Sequence, residues 1–159
     1  MSRTSLERAL LPGQRILLDT SALIAYLGEP QATTPVVRHV IDEWVRSGRN
    51  TAVVSMVTVM EILVRPLEVG PGEEYDHVID FLQRFQNLRT SPIDIPVAHE
   101  AASLRAQHKF SPPDALIIGT GLVAQVGYLV CNDERWKKRL SSIGGRVRVL
   151  YLEDHLPFS

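Results

Sequence analysis

Short apolar runs alternating with longer segments of helical spacing constrain the fold of this chain more than any other feature of its 159 residues. A strand, a helix and a second strand running the same way need a crossover, and repeated crossovers build a mostly parallel sheet with helices on both faces. RILLD at 15–19 is a strand pattern, and TSALIAYL after it carries Ala22, Leu23, Tyr26 and Leu27 at helical spacing. Residues 34–47 present Val36, Val37, Val40, Ile41, Trp44 and Val45 as a one-sided stripe, stopped by Ser47-Gly48. TAVV is β-branched, and Ser55 can cap a helix carrying Met56, Val59, Met60 and Leu63 that Pro66 is expected to end. Residues 67–73, LEVGPGE, have the composition of a mobile loop, followed by a helix over about 74–88. IDI after Pro92 is expected to be a short strand and 96–109 a helix with Pro96 in its first turn. Ser111, Pro112 and Asp114 fit the N-cap, first and third positions of the next helix. YLVCN and RVRVLYL close the pattern as strands around the helical ERWKKRL. The expected fold is α/β, three-layered α/β/α, with residues 15–155 as one domain behind an N-terminal extension, 1–14.

Composition narrows the function. A chain of this size with 45% hydrophobic residues can bury a core without disulfides, and its lone Cys131 suits a reducing compartment. The first residues lack the apolar stretch of a signal peptide, which points to the cytoplasm. The most apolar stretch, Ala52 to Val64, is too short and, with Glu61, too polar to span a bilayer, so no membrane role is expected. At net charge −1, any nucleic-acid contact has to be local, with Arg135, Lys137, Lys138 and Arg139, and also Arg84 and Arg89, as candidate phosphate contacts. The five histidines are scattered, so a bound metal would need oxygen ligands. Gly119-Thr120-Gly121-Leu122-Val123-Ala124 matches a dinucleotide fingerprint, but the YLV strand follows too soon for a crossover helix, and close helix packing accounts better for the small residues.

Four acids stand out by position. Asp19 and Asp133 follow apolar strands, Asp114 opens a helix, and Glu61 lies between Val59, Met60, Ile62 and Leu63, where an unpaired charge is costly. Each has a bland explanation: a cap for Asp19, a helix-start anion complementing the dipole for Asp114 and Asp133, and a salt bridge to Arg65 for Glu61. Together they fall where a parallel sheet gathers its ligands, at the carboxyl ends of the strands. Two unit charges ~4 Å apart repel by about 4 kcal/mol at an effective dielectric near 20, so clustered carboxylates require protons or a cation. A hard divalent ion with open positions suits phosphodiester hydrolysis.

LLDTSALIAYL, TVMEIL, SPPDALIIGTGL and CNDERW, in this order, resemble the motifs of a PIN domain, particularly the toxins of VapC-type toxin–antitoxin pairs. The resemblance implies an endoribonuclease dependent on Mg²⁺, with Mn²⁺ able to substitute. Asp19, Glu61, Asp114 and Asp133 would be its metal and catalytic residues, with Ser21 in support. It also implies a homodimer held inactive by an antitoxin peptide across the active groove. The family often has Thr or Ser two residues before the last acid, where this chain has Cys131, so Asp133 is expected to act on a second metal or through water. A housekeeping RNA-processing nuclease and a non-catalytic RNA- or protein-binding module are the alternatives.

Overall fold

The structure is a computed structural model and describes residues 2–159. Five strands, β1 (Arg15–Leu18), β2 (Thr51–Ser55), β3 (Leu88–Ser91), β4 (Tyr128–Cys131) and β5 (Arg148–Tyr151), form one sheet in the order β3-β2-β1-β4-β5. Every neighbouring pair is parallel. The two-residue alternation of strand side chains divides the core between the faces. Ile16, Leu18, Ala52, Val54, Val130 and Leu150 pack on one side. They meet α1 (Ser2–Ala9), α2 (Thr20–Leu27), α3 (Thr34–Arg38) and α5 (Glu73–Arg84). Leu17, Val53, Leu129, Cys131 and Tyr151 pack on the other, against α6 (Ile95–His108), α7 (Pro112–Val123) and α8 (Arg135–Ser141). The long α4 (Met56–Val69) contributes Ile62 to the first core and Val57 to the second. The architecture is the expected three-layered α/β/α with an entirely parallel sheet.

The chain moves outward from β1 through β2 to β3, then crosses back to lay β4 on the free side of β1. That reversal makes the carboxyl ends of β1 and β4 the topological switch point, the crevice where parallel sheets bind ligands.

Several boundaries depart from the sequence expectation. Pro66 does not end its helix: α4 continues to Val69, with Pro66 buried and its carbonyl accepting from the Gly70 amide at 3.1 Å, so the loop shrinks to residues 70–72. The missing Pro66 N–H removes one helical bond, and packing of the proline ring offsets it. The third strand is Leu88–Ser91, before Pro92, rather than IDI. It is an edge strand, partly buried and polar at three of its four positions, whereas Ile95 is 82% exposed and Asp94 caps α6 by accepting from the Val97 amide. Residues 39–45 widen from α-helix into a π-turn that continues α3, with the Arg46 amide donating to the Ile41 carbonyl at 3.1 Å. In the first 14 residues, α1 and the residue after it bring Leu6 and Leu10 into the core, and Asn50 fixes the connection to β1 by donating to the carbonyls of Leu11 and Gln14.

The glycines at 119 and 121 lie inside α7. A Cβ at Gly119 would come within 3.0 Å of the Val97 carbonyl, and one at Gly121 within 3.2 Å of the Leu17 side chain. One glycine therefore lets α7 approach α6 and the other lets it lie against the sheet. The dinucleotide-like spacing is a packing device.

Candidate active site

All four acids singled out in the sequence line one cleft of about 210 Å³, with Thr20, Ser21, Ile24, Ile117, Arg135 and Trp136 completing its wall. They arrive from four segments: Asp19 from the end of β1, Glu61 from α4, Asp114 from the first turn of α7 and Asp133 from the turn after β4. Their neighbourhood follows from the topology, because β1 and β4 are adjacent and β2 feeds α4 from the next position in the sheet.

Asp19 is 2% exposed. It caps α2, its Oδ1 accepting from the Ala22 amide at 2.8 Å and from Ser21 Oγ at 2.8 Å. Burial pushes its carboxyl up to about 7 and the nearby Asp133 charge adds to this, against the opposing pull of the Ala22 and Ser21 hydrogen bonds. The cap reading is therefore correct and incomplete, since a helix cap needs no desolvation of this size. Ser21 Oγ also accepts from the Asn132 amide at 2.8 Å, which ties the end of β1 to the turn carrying Asp133.

Glu61 accepts from Thr20 Oγ1 at 2.8 Å, and Thr20 in turn lies 3.1 Å from Thr58 Oγ1. The alternative salt bridge to Arg65 does not form, because Arg65 reaches Glu74 at 3.9 Å. Thr20 and Thr58 escaped the sequence analysis. The available signal was Thr58 one helical turn before Glu61, with Thr20 beside Asp19.

At α7, Ser111 Oγ accepts from the Asp114 amide at 3.4 Å, half of a capping box. The Asp114 carboxylate does not return to the cap and instead pairs with Arg139 of α8. Asp133 pairs with Arg135, whose guanidinium donates at 2.6 Å and 3.0 Å to its Oδ2 and whose amide donates to its Oδ1, and these contacts hold its carboxyl below the usual range. Cys131 is buried and its thiol donates to the Asp133 carbonyl at 3.4 Å, while burial pushes the thiol up to about 12. It braces the turn as a neutral group. Of the other basic candidates, Lys137 turns away to Asp154 and Arg84 pairs with Asp80.

Among the described residues no three His, Cys, Asp or Glu side chains already converge to hold one ion. Two arginines and a threonine hydroxyl take up three of the carboxylates, which lets the acids share a cleft without a cation. The donor set nonetheless fits a hard divalent ion: it is all oxygen, and its most buried member is a carboxyl whose charge is destabilised until a cation arrives.

A wholly parallel sheet with an acid-lined cleft at its switch point places the chain among the doubly wound α/β proteins. The PIN domain family matches residues 16–139, and the chain belongs to that family. No curated protein sequence matches it. Among solved structures it is similar to a toxin–antitoxin complex from Klebsiella pneumoniae, with a TM-score of 0.63 and 19% identity over 86% of this chain and 97% of that one. VapBC2 from Rickettsia felis, bound to a promoter DNA fragment, aligns with a TM-score of 0.63 and 14% identity over 86% and 98%. VapC20 from Mycobacterium tuberculosis, described as a toxin that cleaves the sarcin–ricin loop, gives 0.62 and 13% over 81% and 95%. At these identities the likeness concerns the fold. Among the described residues no helix is long and apolar enough to cross a membrane.

Proposed function

We propose that the chain is an endoribonuclease that requires Mg²⁺, with Mn²⁺ able to substitute, and that it is the toxin of a toxin–antitoxin pair. The observation that carries this reading is the convergence of Asp19, Glu61, Asp114 and Asp133, from four separate segments, on one cleft at the switch point of a PIN fold. These carboxylates would hold the ion, Asp133 indirectly because Arg135 already engages both of its oxygens. When bound, the ion supplies Lewis-acid activation of a phosphoryl oxygen and of water. Ser21 keeps Asp19 and the turn after β4 in register, and Thr20 orients Glu61. Arg135 and Arg139 can exchange a carboxylate for a phosphate, so the same cations that hold the acids together without metal neutralise the substrate when it arrives.

The partner reading rests on two further surfaces. A groove of about 560 Å³ adjoins the cleft through Ile24 and Glu61. Leu23, Leu27, Ile62 and Val78 line it, with Glu29 and Glu74 at its rim, which suits an amphipathic basic segment such as an antitoxin tail. On α4, Met56, Met60, Val64 and Leu67 are each more than two-fifths exposed and share one face, a stripe suited to a second copy of the chain.

Purified protein should cut single-stranded RNA in Mg²⁺ and stop when excess EDTA is added, with Mn²⁺ restoring cleavage. Undiminished cleavage in EDTA would remove the metal from the mechanism.

A further inference from the structure

We propose that the cavity walled by His108, Lys109, Lys138 and Arg139 receives the phosphodiester chain of the substrate RNA beside the bond that is cut. This rests on the ribonuclease reading and assigns that site its strand-binding surface. The cavity measures about 460 Å³ and shares Asp114 with the acid cleft, so a strand passing through it enters the cleft directly. Its charge is opposite to that of the groove on the other flank. Asp114 is its one acid, already paired with Arg139, whereas Glu29, Glu61 and Glu74 outnumber Arg65 in the groove beyond Glu61. A polyanion of unit charge per residue is repelled by one flank and attracted by the other.

The lysines are available. Among the described residues Lys109 and Lys138 have no carboxylate partner, while their neighbour Lys137 is paired with Asp154 at 2.7 Å. Lys109 also occupies a costly position. It ends α6 at φ 56° and ψ 33°, the left-handed conformation that helix ends reserve for glycine. A long charged side chain held there is a departure from what stability alone favours, at the mouth of a cavity beside the candidate active site. Ser111 and Ser142 add hydroxyls and the half-buried His108 a flat ring, its centroid 6.2 Å from that of Phe110, which is buried in the core beneath. Hydroxyls, cations and a flat ring suit a sugar-phosphate strand.

The test uses the full chain and a fluorescein-labelled oligouridylate of about 12 nucleotides. Binding is measured by anisotropy in EDTA and cleavage in Mg²⁺. Lys109→Gln with Lys138→Gln should weaken binding about tenfold and reduce the slope of log affinity against log salt by about 1.4, two single-strand phosphate contacts. In Mg²⁺ the loss should appear in KM rather than kcat. Lys137→Gln, on the same helix but turned away, should change neither quantity. Lys109→Gly should raise the melting temperature by about 3 °C while lowering affinity, opposite signs that a merely structural lysine would not give. Unchanged affinity and salt slope in the double variant overturns the assignment even if the parent cleaves RNA. Lysine-dependent binding by a parent that never cleaves in Mg²⁺ would uphold the cavity and overturn the ribonuclease reading instead.

Discussion

Replacing Asp19 with Asn is expected to lower RNA cleavage by more than about 100-fold while leaving the metal-free protein more stable at neutral pH. The activity estimate follows from the 10- to 100-fold losses typical of groups that only orient ligands, which a lost ligand should exceed. The stability sign follows from burial. Asp19 is raised from an ordinary carboxyl value of 3.8 to about 7 in the folded protein, so the native state holds a proton that the unfolded chain has already released. From the lower value through the upper one stability falls as pH rises, by at most about 4 kcal/mol, and it levels off about one pH unit above the upper value. Asn keeps a carbonyl oxygen for the Ala22 amide and the Ser21 hydroxyl but has nothing to ionise. Denaturant unfolding in EDTA at pH 4 and pH 8 should therefore show the parent losing stability relative to the variant. A variant less stable than the parent at pH 8 would mean that the Asp19 charge is already compensated within the protein.

Gly119→Leu should destabilise the fold by about 3 kcal/mol or more. The atoms that a Cβ would meet at 3.0 and 3.2 Å are the Val97 carbonyl oxygen and the Ala101 amide nitrogen, backbone atoms of α6 that cannot rotate away. Relief requires α7 to move off α6, and α7 carries Asp114 in its first turn. Cleavage should fall with stability and Mn²⁺ should not restore it. Denaturant midpoints compared with the parent check this, and a loss under about 1 kcal/mol would show that the two helices are less closely held than the glycine implies.

The same two residues show what a sequence can and cannot reveal. Gly119 and Asp19 sit in patterns with physical meaning: small residues where a helix must approach its neighbours, and an acid at the end of an apolar strand. Alternating runs were enough to locate four of the five strands along the chain and to place the four acids at the carboxyl edge of a parallel sheet. The third strand escaped because an edge strand buries so little that Leu88-Arg89-Thr90-Ser91 needs no apolar alternation. The passage of α4 through Pro66 escaped because the compensation is tertiary, the burial of the ring, and leaves no mark on neighbouring residues. The partners of Asp114 and Glu61 were invisible for a similar reason. Arg139 lies 25 positions from Asp114 and Thr20 lies 41 from Glu61, so only the fold brings them together. Burial of Leu6 and Leu10 ahead of β1 is of the same kind, since eight residues of helix carry too short a stripe to announce what covers them.

Whether the four carboxylates work as one metal-binding site is decided most directly at Asp114, the acid shared by the cleft and the basic cavity. Melting temperature with and without Mn²⁺, measured beside RNA turnover for the parent and for Asp114→Asn, separates a ligand from a helix-start anion. In EDTA the variant should differ little, because the half-exposed pair with Arg139 contributes at most about 1 kcal/mol and Asn still accepts from the guanidinium. On adding Mn²⁺ the parent should gain stability and the variant should gain much less, with turnover lost by orders of magnitude. Retained turnover together with an equal Mn²⁺ shift in both proteins would contradict the account and return Asp114 to the role of a structural charge at the start of α7.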